Sequence, residues 1–238
     1  MYGIVPCVAL LYIISLLMKE QYKNYLAESL GTFTLVFCGT GAVVIDEVTK
    51  GAISHAGVAL TFGLVVMAMI YAFGEQSGAH LNPAVTIAFA LNKSFPLKKV
   101  APYILSQCAG ACIASAVLKP LFPTSQLLGA TIPAGAQMQS FILEALLTFF
   151  LMIVILRVAT GSKEQGLFAG IAIGSVVLLE AMFAGPISGA SMNPARSLAP
   201  ALISTHLNTL WIYLTAPVIG AITAVFIHQS IKPATIKA

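Results

Sequence analysis

Two stretches of this 238-residue chain place hydrogen-bonding side chains beside helix-starting prolines, and they are near copies of each other. Ser77-Gly78-Ala79-His80-Leu81-Asn82-Pro83-Ala84 recurs, 111 positions on, as Ser188-Gly189-Ala190-Ser191-Met192-Asn193-Pro194-Ala195. In each, the asparagine can cap free backbone N–H groups, and the proline can take the first helical position, where its missing N–H costs nothing. Asn82, Pro83 and Ala84, and likewise Asn193, Pro194 and Ala195, therefore read as two helix starts. Each such start carries roughly half a positive charge, so protons and other cations would be repelled between them. Asn-Pro is also a common turn dipeptide. Its recurrence in two halves, each time ahead of a short apolar stretch, favours the helix start.

Charge is scarce enough that every carrier inside an apolar stretch is a candidate for function. The chain has 12 Lys and Arg, 8 Asp and Glu, 58% apolar residues and a mean hydropathy of +0.94, whereas about a quarter of an ordinary soluble domain is charged. This composition excludes a cytosolic enzyme, a disordered regulator and a nucleic-acid binder, which needs clustered Lys and Arg. Glu28, Glu144, Glu180 and Arg196 fall within the apolar zone. Glu28 with Thr32-Phe33 and Glu144 with Thr148-Phe149 form a second repeated pair. Intramembrane acids often mark proton relays, but matched placement in two halves favours a scaffold. An Arg in apolar surroundings is kept facing a cavity unless it snorkels from a helix end. Glu180 has no twin and could serve a pore loop, position Arg196 or face a neighbouring subunit.

Cys7, Cys38, Cys108 and Cys112 lie in apolar runs and read as small packing residues, not as a disulfide framework or a metal site. His55, His80, His206 and His228 are scattered, with no two at ligand spacing on one helix. No metal and no cofactor is expected.

The elements that must position these residues follow from length. A bilayer core about 30 Å thick needs roughly 20 apolar residues per spanning helix. Six runs qualify: Leu26 to Val44, Ala52 to Phe73, Val100 to Leu118, Phe141 to Val158, Leu167 to Phe183 and Thr209 to Ile227. They are continuously apolar, which excludes a transmembrane barrel with its alternation of period two. Each half holds three spans, an odd number, so the second copy enters the membrane from the opposite side as an inverted repeat. The stretches Val85 to Leu91 and Ser197 to Ile203 are too short to cross and read as re-entrant half-helices. Gly63 and Gly174, each 19 residues before its asparagine, and Gly170-x-x-x-Gly174 fit close helix crossing.

Lys19, Lys23, Lys93, Lys98, Lys99, Arg157, Lys163, Lys232 and Lys237 fall on one side of the six-span reading; only Lys50 and Lys119 fall on the other. By the positive-inside rule both ends of the core, including the C-terminus, are cytoplasmic, in a multi-pass protein of the cell (inner) membrane. Residues 19–238 read as one membrane domain with repeat halves of about 19–119 and 137–238. Residues 1–18 hold another uncharged apolar run, either an extra helix or a segment preceding a true start at Met18. The stretch from Lys119 to Ala136, with three prolines, reads as an external connector.

At these residues the chain resembles the major intrinsic protein family of aquaporins and glycerol facilitators. Beyond the two Asn-Pro-Ala boxes, the resemblance includes Arg196-Ser197, Gln107-Cys108-Ala109-Gly110-Ala111, and Pro217 with Gly220. It implies an all-α membrane fold of six tilted helices and two half-helices, a homotetramer in membrane lipid, and a pore in every protomer. It also implies that Asn82 and Asn193 donate to permeating oxygen atoms, that Arg196 is the cationic donor of an outer constriction, and that Glu28, Glu144 and His80 support the pore loops.

Family spacing places Phe62, Ala181, Ala190 and Arg196 at that constriction. Two alanines there imply a wider, less hydrophilic opening than a strict water channel has. Glycerol facilitators usually carry Asp after the Arg, where this chain has Ser197. The run Phe183 to Arg196 is more similar to plant nodulin-like channels and their bacterial relatives, which admit glycerol and uncharged metalloid acids. The expectation is a passive channel, not an enzyme, for water plus glycerol or metalloid hydroxides such as arsenous or boric acid, excluding protons and ions. A water-selective channel is the alternative, followed by a secondary transporter or a junction-forming protein.

Overall fold

The structure, a computed structural model, describes residues 19–159 and 161–231. The apolar segment 1–18, with both of its readings, lies outside the described residues. Helices occur in the order α1 (Glu20–Thr49), α2 (Ser54–Ser77), α3 (Pro83–Leu91), α4 (Val100–Leu121), α5 (Gln137–Ala159), α6 (Lys163–Leu167), α7 (Ala169–Ser188), α8 (Pro194–Ser204) and α9 (Leu210–Ser230). Six of them, α1, α2, α4, α5, α7 and α9, are long and apolar enough to cross a membrane. Only a helix can cross singly with all its backbone groups bonded within itself.

The helices outrun the apolar stretches because their last turns carry polar residues. In the first turn of α1, Lys23 pairs with Glu20 at 2.7 Å. At its other end, Asp46 Oδ1 accepts from the amides of Ile53 and Ser54 and so ties the short turn into α2. Helix α4 also extends past its apolar run, through Lys119 and Pro120 to Leu121. Pro120 falls in the final turn, so the external connector begins only at residue 122. Lys119 Nζ there donates to the carbonyl of Ile203, 3.0 Å away.

Helices α1, α2 and α4 pack as one group and α5, α7 and α9 as another, with α2 against α7 joining them. The half-helices are exchanged: α3 packs on α9 and α8 packs on α4, each against a spanning helix of the other half. The core of small residues between the two groups includes Ala84, Ala88, Ala195 and Ala199, all fully buried.

The crossing of α2 and α7 depends on the glycine pair read from the sequence. A Cβ on Gly63 would meet the carbonyl oxygen of Gly174 at 2.7 Å and Leu178 Cβ at 2.6 Å; one on Gly174 would meet the carbonyl of Gly63 at 2.6 Å. Gly170, a turn away, clears the ring of Tyr71. Because backbone is what each Cβ strikes, neither helix can yield by rotating a side chain. Gly63→Ala should therefore destabilise the protein by about 1–3 kcal/mol, the usual cost of overpacking, and Gly63→Leu should abolish folded yield. Thermal unfolding in detergent with size-exclusion recovery checks both.

Candidate functional site

The two Asn-Pro-Ala elements start the two half-helices. Asn82 has extended backbone, and its Oδ1 accepts from Ala84 N at 2.9 Å; Pro83 occupies the first helical position. Asn193 Oδ1 accepts from Ala195 N at 3.0 Å and Arg196 N at 3.3 Å, ahead of Pro194. The amide nitrogens cross to the opposite loop. Asn82 Nδ2 donates to the carbonyl of Met192 at 2.7 Å and Asn193 Nδ2 to that of Leu81 at 2.8 Å. An amide carries two N–H bonds, so each asparagine keeps one for the cavity that both side chains line.

Both loops leading to these caps follow an unusual backbone course. Gly78, Ala79 and Leu81 have positive φ, and so do Gly189, Ala190 and Met192. The left-handed region is costly for residues with a Cβ and persists only where the surroundings over-determine it. A buried carboxylate does so in each loop. Glu28 accepts from Ser77 Oγ (2.7 Å), His80 N (2.9 Å), Leu81 N (2.8 Å) and Gln107 Nε2 (2.8 Å). Glu144 accepts from Ser188 Oγ (2.7 Å), Ser191 N (2.9 Å) and Met192 N (2.8 Å).

Sequence reasoning missed two further members of each brace. Ser77 Oγ and Ser188 Oγ each accept from the amide two residues on. Tyr103 and Tyr213 donate their hydroxyls to the carbonyls of Ser77 and Ser188, at 2.9 and 2.6 Å. The repeat register was the available signal, since the tyrosines stand 110 positions apart, close to the displacement of the boxes. In the first half, His80 Nδ1 lies 3.1 Å from Thr86 Oγ1. Thr86 donates its own hydrogen to the carbonyl of Asn82, so Nδ1 carries the imidazole proton. The ring is enclosed by Phe89, Phe95 and Tyr103.

A cavity of about 740 Å³ runs from Glu75 and Lys163, past both asparagines, to Phe62, Ala190 and Arg196. Arg196 is only 4% exposed. Its Nη1 donates to the carbonyl of Gly129 at 2.8 Å, and its guanidinium carbon stands 5.1 Å from the centre of the Phe62 ring. Its Nε meets no hydrogen-bond partner among the described residues. Gly129 belongs to the external connector, which also bonds Ser197 through Thr131 and Ile187 through Ala134.

Of the four residues placed at the constriction, Phe62, Ala190 and Arg196 meet at this end of the cavity. Ala181 is buried on α7, one turn beyond Val177, which lines the cavity. Neighbouring Glu180 is 2% exposed, and neither of its oxygens has a hydrogen-bond partner among the described residues. It bonds neither a pore loop nor Arg196, and it does not reach the outer surface. Among the described residues no three His, Cys, Asp or Glu side chains gather to hold a metal.

Six crossing helices around a cavity that passes the N-termini of two opposed half-helices define a multi-pass membrane channel. Residues 15–228 match the major intrinsic protein family. The chain is similar to aquaporin NIP1-2 of Arabidopsis thaliana (44% identity over 88% of this chain and 74% of the relative). It is also similar to aquaporin NIP1-4 of Oryza sativa subsp. japonica (47%, over 87% and 76%) and to nodulin-26 of Glycine max (43%, over 92% and 81%). Among solved structures it is similar to the aquaglyceroporin from Plasmodium falciparum, with a TM-score of 0.80 and 25% identity over 89% of this chain and 96% of that one. The chain belongs to the major intrinsic protein family and is a channel, not an enzyme.

The brace makes a direct test possible. Glu144→Gln keeps the shape but turns one acceptor atom into a donor facing the donors of Ser188, Ser191 and Met192. It should cost about 1–3 kcal/mol per group left unsatisfied, read as a lowered unfolding temperature in detergent. Glu28→Gln should behave alike.

Proposed function

We propose that this channel passes water together with glycerol or metalloid hydroxides such as arsenous or boric acid, and excludes protons and ions. The observation that carries this reading is the make-up of the outer end of the cavity. The Arg196 guanidinium and the Phe62 ring form one wall there, Ala190 beside them is small and apolar, and Ala181, buried on α7, leaves room that a larger side chain would take. A polyol or metalloid hydroxide can lay hydroxyls on the Arg196 donors and its weakly polar side toward the alanines. The names of the aquaporin relatives agree with a passage for water, and that of the aquaglyceroporin with a passage for glycerol as well.

In this reading the free amide hydrogens of Asn82 and Asn193 receive each permeating oxygen in turn. A water whose oxygen accepts from both asparagines cannot also accept from a neighbouring water, so the hydrogen-bonded file is interrupted for protons. The two half-helix N-termini and Arg196 add positive potential against cations. Glu28, Glu144 and His80 keep the loops in place. Residues 19–238 then form one channel domain, with halves of about 19–119 and 137–238.

The protein is further read as a homotetramer in the cell (inner) membrane, with the C-terminus cytoplasmic. Exposed apolar side chains such as Leu60 and Leu64 on α2, Phe150 on α5 and Leu179 on α7 suit burial against lipid and neighbouring protomers. Lys93, Lys98, Lys99, Arg157 and Lys163 gather at the face assigned to the cytoplasm.

Proteoliposomes containing the purified chain should swell in glycerol and arsenite gradients; water flux with neither solute passing would sink the reading. An imidazole at position 181 reaches space that the methyl leaves open. Ala181→His should therefore lower glycerol flux about tenfold, the scale of discrimination by pocket size, while water flux stays within about twofold.

A further inference from the structure

We propose that His55 is a positioning residue for the outer constriction, acting through a backbone carbonyl that Pro186 leaves unbonded in α7. In an uninterrupted helix the carbonyl of Met182 would accept from the N–H of residue 186. That residue is a proline, inside α7, and has no N–H to give. His55 Nε2, on α2, lies 2.6 Å from the Met182 oxygen. A carbonyl can only accept, so Nε2 carries the hydrogen.

The ring reaches that carbonyl because residue 185 is glycine: a Cβ there would meet His55 Cε1 at 2.8 Å. Pro186 frees the carbonyl, Gly185 clears the approach and His55 supplies the donor. The bond gives the Met182 carbonyl the partner that Pro186 cannot supply, at the exposed end of the α2–α7 contact.

The bond lies where it controls geometry. Phe62 follows His55 by seven residues, about two helical turns, and so lies on nearly the same face of α2. Ala181 directly precedes Met182. Helices α2 and α7 pivot at Gly63 and Gly174, where their backbones touch. Beyond the pivot, at the opposite end, the Tyr71 hydroxyl donates to the carbonyl of Leu167 at 3.2 Å. Positions 71 and 182 are 111 apart, so the two ties occupy equivalent places in the duplicated pair with different chemistry. The His55 tie is on the side of the pivot that carries Phe62 and Ala181. Without it, the outer ends of α2 and α7 part and Ala181 moves away from Phe62 and Arg196.

The inference rests on the assignment of Phe62, Ala181 and Arg196 to the constriction, and the test separates the two. Wild type, H55A, P186A and the H55A/P186A double variant are compared in proteoliposomes for water and glycerol flux. H55A should raise the glycerol-to-water permeability ratio about two- to tenfold, the range one neutral hydrogen bond commands. In the P186A background a backbone N–H is restored to Met182, and removing His55 should change the ratio no further. An equal effect in both backgrounds, or none in the wild-type background, overturns the proposal.

A second readout does not depend on transport. With 15N-labelled histidine in lipid nanodiscs, His55 should carry its proton on Nε2; the Nδ1-protonated tautomer overturns the proposal. A wild type that passes water but no glycerol overturns the solute reading instead, and the tautomer then decides the role of His55.

Discussion

Backbone polar groups cannot be left bare at membrane depth, and the rest of this structure is arranged around two places where a helix does not satisfy them. The loops 78–82 and 189–193 bring irregular chain into the protein interior, where water is not at hand to bond every amide. Glu28 and Glu144 answer that need with carboxylate oxygens, which can each take more than one donor. Their acceptors are matched almost atom for atom to the amides of His80 and Leu81 and of Ser191 and Met192. The charged groups in the apolar zone are thus mainly replacements for missing backbone partners. Of the other two, Arg196 lines the cavity, and Glu180 has no hydrogen-bond partner among the described residues.

Satisfying the loops also explains their shape. Left-handed backbone at Ala79, Leu81, Ala190 and Met192 is unfavourable locally, yet it turns consecutive amides toward one carboxylate while the same loop borders the cavity. Tyr103 and Tyr213 close the outer side of each loop. The strain is offset by a network with two independent anchors per loop, so the asparagines are held from behind as well as by their helices. That rigidity suits a donor pair that must discriminate molecules by position.

Much of this was legible in the sequence because it is written in local or repeated signals. The six spans follow from apolar length, the half-helices from Asn-Pro at helix starts, and the Gly63–Gly174 crossing from matched spacing. The helix ends were read short because Glu20, Lys23 and Lys119 are polar yet continue the helical hydrogen bonding. The connector's hold on Arg196 through Gly129 was hidden for a different reason. It uses a backbone carbonyl, which any residue type supplies, so no side chain at 129 announces it.

The crossed amides have a consequence for the order in which the chain is made. Asn82 Nδ2 bonds the carbonyl of Met192, and Leu81 waits for Asn193. During synthesis from the N-terminus the first loop therefore has no partner until more than a hundred further residues have left the ribosome. Helix α3 likewise lacks α9, the last helix among the described residues. A nascent or truncated chain holds three spans and an unfinished loop, not half a channel. The donor pair at the centre of the passage is therefore complete only when both halves are present.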